Sequence, residues 1–501
     1  MPTRWVYGWF LWCILLILLG STDLPIRAAE PKQTGKIPPD SGSAQGLPEP
    51  FVGEALELLG RFLQIDTSNP PGRELEAAKF LAERLYRAGI ESRILQSAPG
   101  RANLIARIPG TGKGKAVVLL QHLDVVPAVE EDTGPPAGTL EGGVVWGRGA
   151  VDMKGLGITQ LMCLLAVKAA GVPPDRDLVL VATADEEMGG KLGADWLLKN
   201  HPELVRSVEL VLAEGGANCT SEDGALQYVG LELTQKVPVW LRISAHGRPA
   251  HGALWMPDSA TARLTRVLHR ILTWRSPLRA SPAVAEYFRR IAPYQSERWQ
   301  TWFADVETGL KDPVPDVAGL GPYYAALLQN TVNVMQIKTE GPPNILSGVG
   351  TALLDCRLQP DRNPESFLWD LQNIVHDAGV QLEVVLRGRP AASLEPARLT
   401  RMVDKALKEM GQSSEVGPAV QPGFTDARFF RERGVTAVGF WPFRHAEGGM
   451  THSEGESLEE EDFRFGLELY LRVVARLVGL EPAQLFRAGA LEPSSSLSSR
   501  R

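Results

Sequence analysis

Three clusters of acids and histidines stand directly after short apolar runs in the first half of the chain. His122 and Asp124 follow AVVLL (116–120), Asp185, Glu186 and Glu187 follow LVLVA (178–182), and Glu214 follows ELVL (209–212). Continuous apolar runs of this length read as buried strands of a mostly parallel sheet. Ligands of open parallel sheets bind beyond the carboxyl ends of the strands. The three clusters are therefore expected to converge on one crevice.

Each cluster also has a plainer reading. In His122-Leu-Asp124 the carboxylate is placed to orient or charge-stabilise the imidazole, as partners of metal-binding histidines do, but a solvated surface pair has the same spacing. In WGRGAVDMKG (146–155) the glycines around Asp152 free the backbone to bring that carboxylate close to a ligand; a loop-and-cap role fits as well. Glu186 and Glu187 repel one another unless a cation or solvent takes up their charge, and a solvated turn would do so. His452, in the glycine- and acid-rich loop EGGMTHSEGES, would in isolation be an ordinary surface histidine.

Taken together the clusters are more selective. His122 and His452, with Asp152, Glu214 and one glutamate of the Glu186-Glu187 pair, bring two imidazoles and three negative charges, which two divalent ions and a bridging hydroxide would balance. Mixed nitrogen and oxygen donors suit zinc, with cobalt or manganese as substitutes. Such a site needs a further acid as general base. One glutamate of the Glu186-Glu187 pair is left over for it.

The elements that must position these groups alternate along the chain. Apolar spacing predicts helices over 54–64, 74–88 (stopped by Gly89), 155–170, 193–199, 260–274 and 460–478, interleaved with the strands above. From Val237 the texture changes to alternating strands (VPVWLRISA), with further strands around 330–338 and 350–358. After Val384 an α/β pattern resumes, with GVTAVGFW as a strand. The fold class expected is α/β: a mostly parallel-sheet catalytic domain made of 51–236 and 385–480, with an inserted α+β domain at 237–384. No internal repeat is visible.

With 501 residues, roughly three domains are allowed, or two if one is large. The 44% hydrophobic content and the 50 Gly and 37 Pro exclude a collagenous, coiled-coil or largely disordered chain. Net charge is −7 with no long basic block, which disfavours a dedicated nucleic-acid binder. Cys13, Cys163, Cys219 and Cys356 lie far apart without CxxC spacing, so neither a zinc ribbon nor a disulfide framework is indicated. Arg4 followed by an apolar run to Gly20 suits a signal peptide or signal anchor within 1–29, and 30–50 reads as a tether. Export is expected, with the membrane involved only if that segment is retained. Residues 481–501 read as a flexible tail.

In order along the chain, HLDVVP, GRGAVDMKG, ADEEMGG, LAEGG, GRPAHGA, GFTDARFF and the late His452 resemble the motifs of the M20 family of dinuclear zinc peptidases and amidases, most of all its carboxypeptidase S and N-fatty-acyl-amino-acid synthase/hydrolase branch. The resemblance spans about residue 51 to 480. It implies two zinc ions per subunit, held by His122 and Glu214 on one side and by Glu187 and His452 on the other, with Asp152 bridging through a cis peptide to Met153. His445 is the rival of His452. Asp124 would support His122, and Glu186 would be the general base. The inserted domain would be a lid that often dimerises, with His251 polarising the scissile carbonyl. Arg357 and Asn344 would contact the substrate, a peptide or N-acyl amino acid with a free carboxylate; an ordinary strand arginine and a turn asparagine read equally well. The walls of the acyl pocket are expected from the stretch around Trp299, Trp302, Tyr323 and Tyr324, although such a run of aromatics is more often core. A binding protein without catalysis, or phosphoester hydrolysis on the same metals, are the competing functions.

Overall fold

The computed structural model of the chain describes residues 46–128, 134–311, 317–444 and 454–488. His445, His452 and the N-terminal apolar run lie outside them. Chain packing separates Met1–Ser43 from Ala44–Arg501, and every described residue belongs to the second unit.

A nine-stranded sheet forms the larger layer. At its centre Ala116–His122 runs parallel to Leu178–Thr183 on one side and Val208–Ala213 on the other, so that His122 is level with Thr183 and Leu119 with Leu212. All residues of Ala116–His122 and Leu178–Thr183 are buried, which is why these strands read as unbroken apolar runs rather than alternating ones. Thr436–Gly439 continues the sheet in parallel beyond Val208–Ala213, and antiparallel Ser92–Ala98 and Arg101–Ile108 close the other edge. The helix Lys154–Ala169 is buried from Lys154 to Val167, and packs with Glu460–Leu477 and Glu49–Leu63 in one core. The first helix starts at Glu49, inside the expected tether. Pro50 has no amide to lose in the first turn, so it begins a helix as well as it would stiffen a linker.

A second, four-stranded antiparallel sheet comprises Thr331–Thr339, Val349–Leu358, Val237–His246 and Val380–Arg387, in that spatial order. The helices Ala260–Thr273 and Pro364–Val375 share its core through Leu264, Val267, Ile271, Phe367 and Leu371. The stretch 282–327 joins a different core. Pro282–Ile291, Glu297–Ala304 and Gly321–Leu327 build an aromatic cluster of Tyr287, Phe288, Trp299, Trp302, Phe303, Tyr323 and Tyr324 that packs on Tyr228, Ala419 and Val420 of the large sheet. Phe288 stacks on Phe303 at 4.5 Å within this cluster, against which Trp299, Trp302, Tyr323 and Tyr324 pack half-buried, and the Tyr323 hydroxyl donates to the Val420 carbonyl at 3.2 Å.

Candidate metal centre and active site

The three central strands deliver the expected groups to one end of the sheet. His122 is the last residue of its strand, Asp185–Glu187 follow the neighbouring strand, and Glu214 follows the strand on the other side. His122 Nε2 lies 2.9 Å from Asp152 Oδ1 and 3.2 Å from Glu214 Oε2. One ligand atom from each of these residues falls within 4.8 Å of the others, a group that can hold a metal ion. Asp152 reaches it from the glycine-rich turn before the helix Lys154–Ala169, and the Asp152–Met153 peptide is cis.

The electrostatics also call for a cation. Burial works against charge on His122, yet the Glu214 and Asp152 carboxylates outweigh it and hold the imidazole well above its ordinary pKa. Burial pushes Glu214 up to about 7. Burial, with the nearby charge of Glu214, holds Glu186 well above the usual carboxylate range. Glu186 Oε1 is buried with no hydrogen-bond partner among the described residues. A cluster of buried acids around one imidazole, with an oxygen left unsatisfied, is what a bound divalent cation and its water would complete.

The Asp124 carboxylate stays within ion-pair distance of the imidazole, as expected, but makes its hydrogen bonds elsewhere. His122 Nδ1 is 2.9 Å from the backbone carbonyl of Asp124, whereas the Asp124 carboxylate stands 3.7 Å from that nitrogen. The carboxylate instead accepts the backbone N–H groups of Glu186 and Glu187, each at 3.1 Å, and Asn69 Nδ2 at 2.8 Å. It holds the turn that carries the two glutamates, and burial raises its pKa to about 7. The physical reason is that the main chain already supplies the acceptor for the imidazole, so the carboxylate serves the amides that nothing else reaches.

Further residues complete this support, and of them the sequence singled out only Asp185. Asp185 has φ +68°, a left-handed backbone that aspartate tolerates better than most side chains. Glu74, fully buried, accepts the Asp185 amide at 3.2 Å and two Arg101 nitrogens at 2.7 Å each, and Arg101 reaches the Asp185 carboxylate at 2.9 Å. Asp426, in the GFTDARFF motif, accepts from the Thr183 hydroxyl at 2.7 Å, and Arg428 lies over Phe424 and Phe429 and donates to the Gly189 carbonyl at 2.8 Å. ADEEMGG and GFTDARFF carried a signal for Asp185 and Asp426; Asn69, Glu74 and Arg101 come from segments with none.

The residues expected on the inserted domain have local partners of their own. His251 is exposed on a two-stranded ribbon with Ile345, and its Nδ1 accepts the Ala253 amide at 3.2 Å. Asn344 is beside it, its carbonyl accepting the Gly252 amide at 2.8 Å. Arg357 commits two nitrogens to Asp355 at 2.7 Å each and lies 4.3 Å over the Phe424 ring. Glu187 is half-buried on the turn held by Asp124, and His452 falls outside the described residues.

Among known proteins, human aminoacylase-1 is 25% identical over 439 residues, covering 85% of this chain and 96% of that protein. An N-fatty-acyl-amino acid synthase/hydrolase of Xenopus tropicalis is 22% identical over 370 residues, covering 71% of each. The M20 metallo-carboxypeptidase Sso-CP2 of Sulfolobus solfataricus has the same fold, with a TM-score of 0.66 at 19% identity over 84% of this chain and 98% of that one. The family model described as Peptidase family M20/M25/M40 matches residues 118–476, which take in the His122, Asp152, Glu186 and Glu214 positions, and the chain belongs to that family.

Proposed function

We propose that this protein is a metal-dependent hydrolase of amide bonds adjacent to a free carboxylate, acting on N-acyl amino acids or as a carboxypeptidase on peptides. The observation that carries the reading is the buried group of His122, Asp152 and Glu214 beside Glu186, whose Oε1 is unsatisfied among the described residues. The near full-length likeness to aminoacylases supports the N-acyl amino acid arm.

His122 and Glu214 would hold one ion, Glu187 and His452 a second, and Asp152 both. Zinc suits these donors, with cobalt or manganese as substitutes; when bound, such a pair polarises the scissile carbonyl and makes water acidic enough to lose a proton near neutral pH. Glu186 takes the proton of the attacking water and delivers it to the leaving amine nitrogen. Its raised pKa suits a group that must accept and then release a proton. Asp124 fixes the backbone of Glu186 and Glu187 through the reaction. His251 stabilises the developing oxyanion; since it stands exposed on its ribbon, the inserted domain of this copy or of a second copy in a homodimer must bring it in. Arg357 and Asn344 are the residues proposed to meet the substrate carboxylate and backbone. Export is part of the same reading and rests on Arg4 and the apolar run to Gly20.

The test is amine release by the zinc-loaded protein from N-blocked dipeptides and long-chain N-acyl amino acids, each with free and amidated carboxyl ends. Cleavage of free-carboxyl substrates alone supports the proposal, and the ratio of the two series names the acyl group preferred. Equal cleavage of amidated substrates contradicts it.

A further inference from the structure

Glu456 has no part in the mechanism above, yet it is more completely engaged than any carboxylate near the site. It is buried, and its Oε1 accepts three backbone amides: Gly149 at 3.0 Å, Val151 at 2.9 Å and Asp152 at 3.0 Å. Its Oε2 accepts Arg148 Nη1 at 2.7 Å. Its own carbonyl accepts the Gly147 amide at 2.9 Å, and Ser457 pairs with Trp146 next to it in a short antiparallel ladder.

Three amides converge on one oxygen only because the turn 147–152 is wound tightly, with Gly149 at φ +89°, where a β-carbon would sit 2.8 Å from Val125 Cγ1. Such a ring of amides is a concavity for an anion, and Glu456 is that anion. The last of the three amides belongs to Asp152, whose Oδ1 lies 2.9 Å from His122 Nε2. A hydrogen bond to Glu456 thus fixes the backbone from which the shared metal-binding carboxylate projects.

We infer that Glu456 is a positioning residue for Asp152, holding the turn so that this carboxylate meets His122 and Glu214 in metal-binding geometry. The inference rests on the metal reading of the site. A glutamine at 456 can keep an oxygen toward the amides, but its NH2 then faces Arg148. An aspartate keeps the charge on an arm too short to span the amides and the guanidinium together.

The test is cobalt titration of the full chain, metal-free at the start, followed by visible absorption, with amide hydrogen exchange of the turn 147–153 in the metal-free state. Glu456→Gln is expected to bind at least one ion about 10- to 100-fold more weakly, with an altered absorption band, faster exchange in the turn, and a kcat at least tenfold lower at similar KM. A folded Glu456→Gln with the wild-type band, affinity and kcat overturns the inference, even if it melts earlier. If that variant does not fold, Glu456→Asp decides by the same band and affinity. Absence of cobalt uptake by the wild type would sink the metal reading itself, whereas wild-type uptake with an unaltered variant would sink only the role of Glu456.

Discussion

Asp124→Asn separates what the geometry says of this side chain from what its spacing suggests. Asp124 Oδ1 accepts the Glu186 amide, and Oδ2 accepts the Glu187 amide and Asn69 Nδ2. An asparagine must turn its NH2 to one of these positions. Placing it at Oδ2 opposes two donors and placing it at Oδ1 opposes one, so the second orientation is favoured and the Glu186 amide loses its acceptor. Leaving one buried N–H unsatisfied costs about 1–3 kcal/mol, and the loss of charge assistance from the remaining bonds brings the total to about 3 kcal/mol. The amide released is that of the proposed base. A displacement of about 1 Å at a reacting group costs about 100-fold in rate. We therefore expect kcat to fall about 100-fold at similar KM and unchanged metal content, with the Glu186 amide exchanging faster by hydrogen-exchange mass spectrometry. Turnover within threefold of wild type would refute the reasoning. So would a loss of turnover that tracks metal lost from the His122 side while the Glu186 amide stays protected, since that would return Asp124 to the support of the imidazole.

Gly215, next to Glu214, has φ +96°, and a β-carbon there would sit 2.0 Å from Glu232 Oε2. Glu232 is held by Arg431 at 2.6 Å in a fully buried pair, so it cannot step aside. Gly215→Ala should cost about 3 kcal/mol or more, whereas Gly224→Ala, at φ +83° with nothing near the added atom, should cost about 1 kcal/mol; equal losses of melting temperature would contradict this. Lys236 is buried against the carbonyls of Ala326 and Gln329 and is pushed down to about 7, chiefly by burial. Above that pH the folded chain has shed this proton while an unfolded lysine keeps it to about 10.4. The stability difference between wild type and Lys236→Met should accordingly be flat below pH 7 and grow in favour of wild type by about 1.4 kcal/mol per unit from pH 7 to 10, as urea unfolding of the metal-free protein would measure; a flat profile throughout would show that the amine titrates normally.

Much of this arrangement was legible in the sequence because strand ends announce themselves. AVVLL and LVLVA are buried on both faces, as is ELVL after its first residue, and the polar residues after each run emerge at the same edge of a parallel sheet, which is how His122, Glu186 and Glu214 come together. The support around them was not legible. An HxD spacing does not reveal that the main chain, not the carboxylate, will meet the imidazole. Glu74 and Arg101 look like any helix acid and strand base until the fold buries them against Asp185, 111 and 84 residues away. The aromatic stretch around Trp299 and Tyr324 reads as core or as pocket because helical spacing of large rings does not say which layer they will cover, and here it packs on Tyr228 and Val420 of the large sheet.

The central claim is that the His122, Asp152 and Glu214 group binds metal and that Glu186 acts as the base beside it. Its most direct test is metal content and turnover measured on the same samples of wild type and Glu186→Gln. Both should hold two equivalents of divalent metal, with turnover of an N-acyl amino acid lower by about three or more orders of magnitude in the variant, as for loss of a general base. Wild type without stoichiometric metal after zinc loading, or a metal-replete Glu186→Gln that turns over like wild type, would contradict it.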